Sequence, residues 1–199
     1  MNDKYILALD ASTFCTGYAV WNITSNKFET AGHVPLKNVD GLHAKVDTMV
    51  ESLGAIKENS NITEIIIEDI ITKFIAGKSN IKTIITLASF NAIIQRKCYE
   101  MFGETPIMMN VIRARNLADC KTPRGVNTKN FILRRICELH PEVKELLPMM
   151  KTKAEFAKES YDVSDAIVIA RARAAQIFPP VVEKPKEPEP IPEQELLPF

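Results

Sequence analysis

Two short apolar runs that each end on acids constrain this chain's fold more than any other feature. Tyr5-Ile6-Leu7-Ala8-Leu9 leads into Asp10, and Ile65-Ile66-Ile67 leads into Glu68 and Asp69. Both runs are too short for a stable helix, and neither alternates polar with apolar residues. That is the pattern of strands buried inside a sheet. Around them, residues 4–10 and 15–21 read as strands, and 22–26 (NITSN) supply turn residues before a third strand over 27–34. Three strands with such short links predict an antiparallel meander.

The remaining elements follow from periodicity. Over residues 40–58, Leu42, Val46, Met49, Val50 and Leu53 recur at helical spacing, with Asp40 as the expected N-cap. The strand ending at Glu68 comes next, then a helix over 81–102, a fifth strand over 105–112, and helices near 127–139 and 161–177. This order predicts an α/β domain: a mixed five-stranded sheet, three strands antiparallel and then two parallel, flanked by helices. From Pro179 onward lie seven of the chain's twelve prolines, interleaved with charge. Such a segment cannot build a core and is expected to be extended and disordered. The folded domain is therefore expected over 1–178, with a tail over 179–199.

Charge narrows the function classes once its placement is considered. The chain is neutral overall, but Arg113, Arg115, Lys121, Arg124, Lys129, Arg134 and Arg135 face only one acid, Asp119, across 113–135. A basic stretch in a neutral chain is either a solvated helix face or a footprint for phosphates. No apolar run approaches the roughly 20 residues of a membrane span. The N-terminus lacks the features of a signal peptide, so a cytosolic location is expected. Cys15, Cys98, Cys120 and Cys137 are scattered with no C-x-x-C pair, which argues for reduced, buried thiols over a zinc site or disulfides.

The acids then carry the chemistry. Taken alone, Asp10 after a strand is an ordinary turn residue. If its strand lies parallel and adjacent to the one ending at Glu68, however, the two carboxylates meet at one sheet edge. Asp162 and Asp165 stand three apart at the start of the last helix, with Ser160 as a possible cap, so they share a face. Their bland role would be to complement the helix dipole. Four acids brought together would repel one another, and a divalent cation with hard oxygen ligands relieves that repulsion.

In this order the motifs resemble the ribonuclease H-like nucleases, and in particular the RuvC-type Holliday-junction resolvases. LDASTFCTGYAVW resembles that family's opening motif, IIIED its apolar strand ending in Glu, and SYDVSDAIVIARA its closing helix. The resemblance spans residues 5 to about 175. It implies a structure-selective endonuclease that hydrolyses phosphodiesters in branched DNA, leaving 5′-phosphate and 3′-hydroxyl ends. It further implies two Mg²⁺ ions, with Mn²⁺ also accepted, held by Asp10, Glu68, Asp162 and Asp165, with Asp10 bridging both. Asp69 is expected to point to the opposite face and not to be a ligand. Lys129 falls where the family places a catalytic or phosphate-binding lysine.

Ser12 with Thr16-Gly17 is expected to turn the chain beneath the cleaved phosphate. Arg113, Arg115, Lys121 and Arg124 are expected to grip DNA phosphates. Phe74, with Lys78 in the same loop, is a candidate to wedge into the junction centre. The helix over 81–102 is apolar on more than one face and resembles the family's dimer helix, so a homodimer is expected. Residues 139–159 look like an insertion, which leaves room for broader cutting of branched DNA. In the tail, Gln194, Leu197 and Phe199 fit a motif by which replication proteins dock on the bacterial sliding clamp.

Other readings stay open at this point. The first motif also resembles a phosphate loop of actin-like ATPases, although the chain has only seven glycines and no glycine-rich adenosine segment. A nuclease acting on structured RNA shares the same acids, and a non-catalytic DNA- or clamp-binding module shares the fold.

Overall fold

The computed structural model describes residues 3–69, 81–149 and 156–179. The strands are β1 (Tyr5–Asp10), β2 (Cys15–Asn22), β3 (Lys27–Pro35), β4 (Ile62–Glu68) and β5 (Ile107–Met109). The helices are α1 (Leu42–Asn59), α2 (Ile81–Phe102), α3 (Val111–Leu117), α4 (Thr128–Leu139) and α5 (Glu159–Ile177), with a short 3-10 helix at Pro141–Glu145. One sheet runs in the order β3-β2-β1-β4-β5. β1–β2 and β2–β3 are antiparallel, whereas β1–β4 and β4–β5 are parallel, as the sequence pattern predicts.

Alternation along β1 divides the core between two layers. Ile6 and Ala8 join the cluster formed with α3, α4 and α5, while Leu7 and Leu9 join the cluster formed with α1 and α2. All four are fully buried, and burying a side chain the size of Ile6, Leu7 or Leu9 stabilises by about 1.5–3 kcal/mol. β1 is therefore held from both faces, between β2 and β4. It ends on Asp10.

Several local expectations need correction. α1 is not capped by Asp40: it begins after Gly41, whose φ of 79° is accessible to glycine and turns the chain into the helix. Ser160 does not cap α5. It lies within the first turn, buried, and its hydroxyl donates to the carbonyl of Pro148 at 2.7 Å. The fifth strand is also shorter than predicted, because Asn110 stops it. The Asn110 side chain accepts hydrogen bonds from the backbone N–H groups of Ile112 and Arg113, starting α3 where a continued strand was expected. No helix among the described residues is long and apolar enough to cross a membrane.

Candidate active site

The sheet register brings the first two acids together. Ala8 pairs with Ile66 and Leu9 with Ile67, so Asp10 and Glu68 end adjacent parallel strands at the same level. Ala8 and Ile66 both face α5, and two residues further on Asp10 and Glu68 face it too. The carboxyls of Asp10 and Glu68 lie close enough to perturb each other.

Gly17 brings the second pair of acids to the first. It lies opposite Asp10 in β2, and a Cβ there would stand 2.1 Å from the backbone oxygen of Asp162. Only glycine lets the first turn of α5 lie directly on the sheet at this point. The fully buried Ala166, Ala170 and Ala172 keep the approach close along the helix.

Electrostatics makes the four acids one group. Burial raises Asp10 well above the ordinary carboxylate range, and the negative charges of Glu68, Asp165 and Asp162 push it further. Glu68 is raised mainly by burial, with Asp10 and Arg115 pulling the other way. Asp162 is raised by burial, offset by a hydrogen bond from the Cys15 thiol and by the charge of Lys129. Asp165 is raised by burial and offset by Arg115 and then Lys129. The Cys15 thiol is itself pushed up by burial and by the neighbouring acids.

These directions share one leading cause, burial of the carboxyls, with Arg115 and Lys129 as the cations that oppose it. A divalent cation fits such a donor set of hard carboxylate oxygens. The acids do not already form a closed cage, for among the described residues no three His, Cys, Asp or Glu side chains converge as ready ligands. The Nε of Arg115 is buried without a hydrogen-bond partner, a further sign that polar groups here are left to be satisfied.

The basic residues divide into two groups. Arg115, expected to grip DNA, turns inward and donates from Nη2 to Asp165 Oδ1 at 3.2 Å, both side chains largely buried. Its role beside an acid was not legible in the sequence, because α3 itself was not. Lys129, in the first turn of α4, lies 5.6 Å from the ring centroid of Tyr161, whose hydroxyl donates to Asn130 Oδ1 at 2.6 Å. Arg113, Lys121 and Arg124 are exposed and have no ion-pair partner among the described residues. Arg135 is committed to Asp119 and Glu138.

Ser12 shapes the turn after β1. Its N–H donates to Thr16 Oγ1 at 3.2 Å, and the Thr16 hydroxyl donates back to the Ser12 carbonyl at 3.0 Å. Asp69 follows β4, is exposed, and does not contribute to the perturbation of the other acids. The expectations for Phe74 and Lys78, and for Gln194, Leu197 and Phe199, fall outside the described residues.

No protein-family model matches the chain. Two curated proteins do: the crossover junction endodeoxyribonuclease RuvC of Aliarcobacter butzleri is 28% identical over 181 residues, covering 86% of this chain and 99% of that protein. The RuvC of Campylobacter lari is 25% identical over 181 residues, covering 86% of this chain and 96% of its own. Among solved structures, Thermus thermophilus RuvC in complex with a Holliday-junction substrate superposes with a TM-score of 0.60 at 9% identity, covering 88% of this chain and 96% of that one. The yeast mitochondrial Holliday-junction resolvase Ydc2 gives 0.58 at 12% identity, covering 85% and 77%. Over most of its length the chain is thus similar in sequence to curated RuvC proteins, and it shares its fold with solved Holliday-junction resolvases.

Proposed function

We propose that this protein is a metal-dependent, structure-selective endonuclease that resolves Holliday junctions or related branched DNA by phosphodiester hydrolysis. One observation carries the reading: Asp10, Glu68, Asp162 and Asp165, from three separate elements, act on one another at a single sheet edge. The exposed Arg113, Lys121 and Arg124 carry charge suited to phosphates. The curated relatives carry the name crossover junction endodeoxyribonuclease.

In this reading Asp10, Glu68, Asp162 and Asp165 hold magnesium, two ions when the site is filled, with manganese a workable substitute. A divalent cation bound there supplies positive charge to the attacking water and to the departing oxygen. The protein's own groups fix the arrangement. Strand β1 holds Asp10 rigidly, the Arg115 guanidinium orients Asp165, and the Cys15 thiol orients Asp162. Lys129 adds a cation on the side of Asp162 and Asp165, where a phosphate oxygen gains charge during attack. Water attacks phosphorus, the bond to the 3′ oxygen breaks, and the products carry a 5′-phosphate and a 3′-hydroxyl.

A junction with two-fold symmetry calls for two such sites. The outward side chains of Ile81 and Ile85 in the first turns of α2 are 61% and 60% exposed, an apolar surface suited to a second copy. A single monomeric peak at micromolar concentration on a sizing column would contradict that dimer. The Gln194, Leu197 and Phe199 motif, following a proline-rich stretch, suits docking on a sliding clamp. Failure of a peptide over 190–199 to bind a clamp would remove that partner.

Substrate choice tests the main reading. A four-way junction, a replication fork, linear duplex and structured RNA are incubated with the protein, with and without magnesium. Magnesium-dependent nicking of the branched DNAs, with linear duplex and RNA left whole, is the expected result. Preferential cutting of RNA would replace this reading with that of an RNA-processing nuclease.

A further inference from the structure

Tyr161 joins the acids of α5 to α4 through a side chain anchored at both ends. It lies directly before Asp162 and one helical turn before Asp165, so the three residues occupy one strip of α5. Its side chain is half-buried against the core layer that α3, α4 and α5 share. At the far end the hydroxyl donates to Asn130 Oδ1 at 2.6 Å. Asn130 stands in the first turn of α4, where its N–H donates to the capping Asn127 Oδ1 at 3.1 Å.

Such a tie between two helices is ordinarily structural. Lys129 gives it a second use. Its Nζ lies 5.6 Å from the centroid of the Tyr161 ring, within the reach of a cation–π contact. Lys129 is exposed, and an exposed lysine on its four-carbon stem otherwise samples many rotamers. Its charge is near enough to lower both Asp162 and Asp165, yet it forms a direct ion pair with neither. The difference matters. A ring face attracts a cation without cancelling its charge, whereas a bond to a carboxylate would cancel that charge and cover an oxygen suited to a metal ion.

We propose that Tyr161 is a positioning residue, whose ring holds the Lys129 ammonium close to Asp162 and Asp165 with its charge free to meet a phosphate oxygen of the substrate. This rests on the nuclease reading above and adds to it the residue that places one of its cations. The ring acts through Lys129, and Asn130 acts through the ring.

Two measurements on the full-length protein test this. In the first, the lysines are labelled with carbon-13, and the ε-methylene resonance of Lys129 is assigned by its loss in Lys129→Met. The ring is expected to shift that resonance upfield of the other lysines in wild type and in Tyr161→Phe, but not in Tyr161→Leu. The second is single-turnover cutting of a saturating four-way junction with magnesium. Tyr161→Leu is expected to cut about tenfold more slowly, and Tyr161→Phe within about threefold of wild type. In a Lys129→Met background Tyr161→Leu should slow cutting no further, because the group it positions is gone. A purely structural role would slow both backgrounds alike, and that result overturns the inference. A wild-type Lys129 resonance lying among the other lysines overturns it too, whatever the stability of the variants. If wild type itself does not cut, the nuclease reading fails, and the resonance alone decides whether the ring holds Lys129.

Discussion

At the scale of single residues, Asp10 shows how the site trades stability for chemistry. Its folded pKa lies well above the ordinary carboxylate value, as do those of Glu68, Asp162 and Asp165. Groups shifted upward favour the folded state fully below their unfolded pKa, about 4. That contribution is lost as pH rises through the raised folded values. The metal-free protein is therefore expected to be strained by its own acids near pH 8. Asp10→Asn should raise the metal-free Tm there by several degrees, at about 2–4 °C per kcal/mol for a chain of this size, and change it little near pH 4. Magnesium should raise the wild-type Tm at pH 8. A lower Tm for Asp10→Asn at pH 8 would contradict the crowding of charge. Gly17 tests the same site by shape: Gly17→Ala forces the first turn of α5 off the sheet, since the new Cβ would meet Asp162 at 2.1 Å. Thermal melts and kinetics should show a loss of about 1–3 kcal/mol of stability and on the order of a hundredfold in rate.

At the scale of elements, α3 carries a dependence that no long-range pattern reveals. Asn110 caps it with two hydrogen bonds, and α3 in turn presents Arg115 to Asp165. Asn110→Ala is expected to cost about 1 kcal/mol by denaturant titration and to slow cutting by loosening Arg115. Unchanged stability would mean that the cap contributes nothing. The same helix marks where sequence reading stops short. β1 and β4 were legible because a continuous apolar run ending on acids has few structural solutions, and α2 because its period holds for many turns. The segment around Asn110 is apolar on both sides, so a strand followed by a capped helix looks like one longer strand. Asp40 and Ser160 mislead for a related reason: at α1 and α5 the chain enters through backbone geometry and tertiary hydrogen bonds, and the two residues only resemble caps. The pairing of Asp10 with Glu68 was foreseeable from period-two alternation. The inward turn of Arg115 depends on a helix that propensity does not announce.

At the scale of the whole molecule, a neutral chain still presents exposed positive charge. Arg113, Lys121 and Arg124 are exposed without ion-pair partners among the described residues, whereas Arg115 and Arg135 are neutralised internally. If the free three hold phosphates, replacing all three with alanine should weaken junction binding and reduce the slope of log K against log salt by about 2–3. An unchanged slope would place the DNA elsewhere.

The central claim is that the carboxylates gathered from β1, β4 and α5 cut branched DNA. Single-turnover nicking of a four-way junction by wild type, Asp10→Asn and Asp165→Asn tests it most directly, with binding measured in parallel. Magnesium-dependent nicks on two strands by wild type, falling about a thousandfold or more in both variants while junction binding persists, are the predicted result. Variants that bind and cut the junction as wild type does would contradict the account.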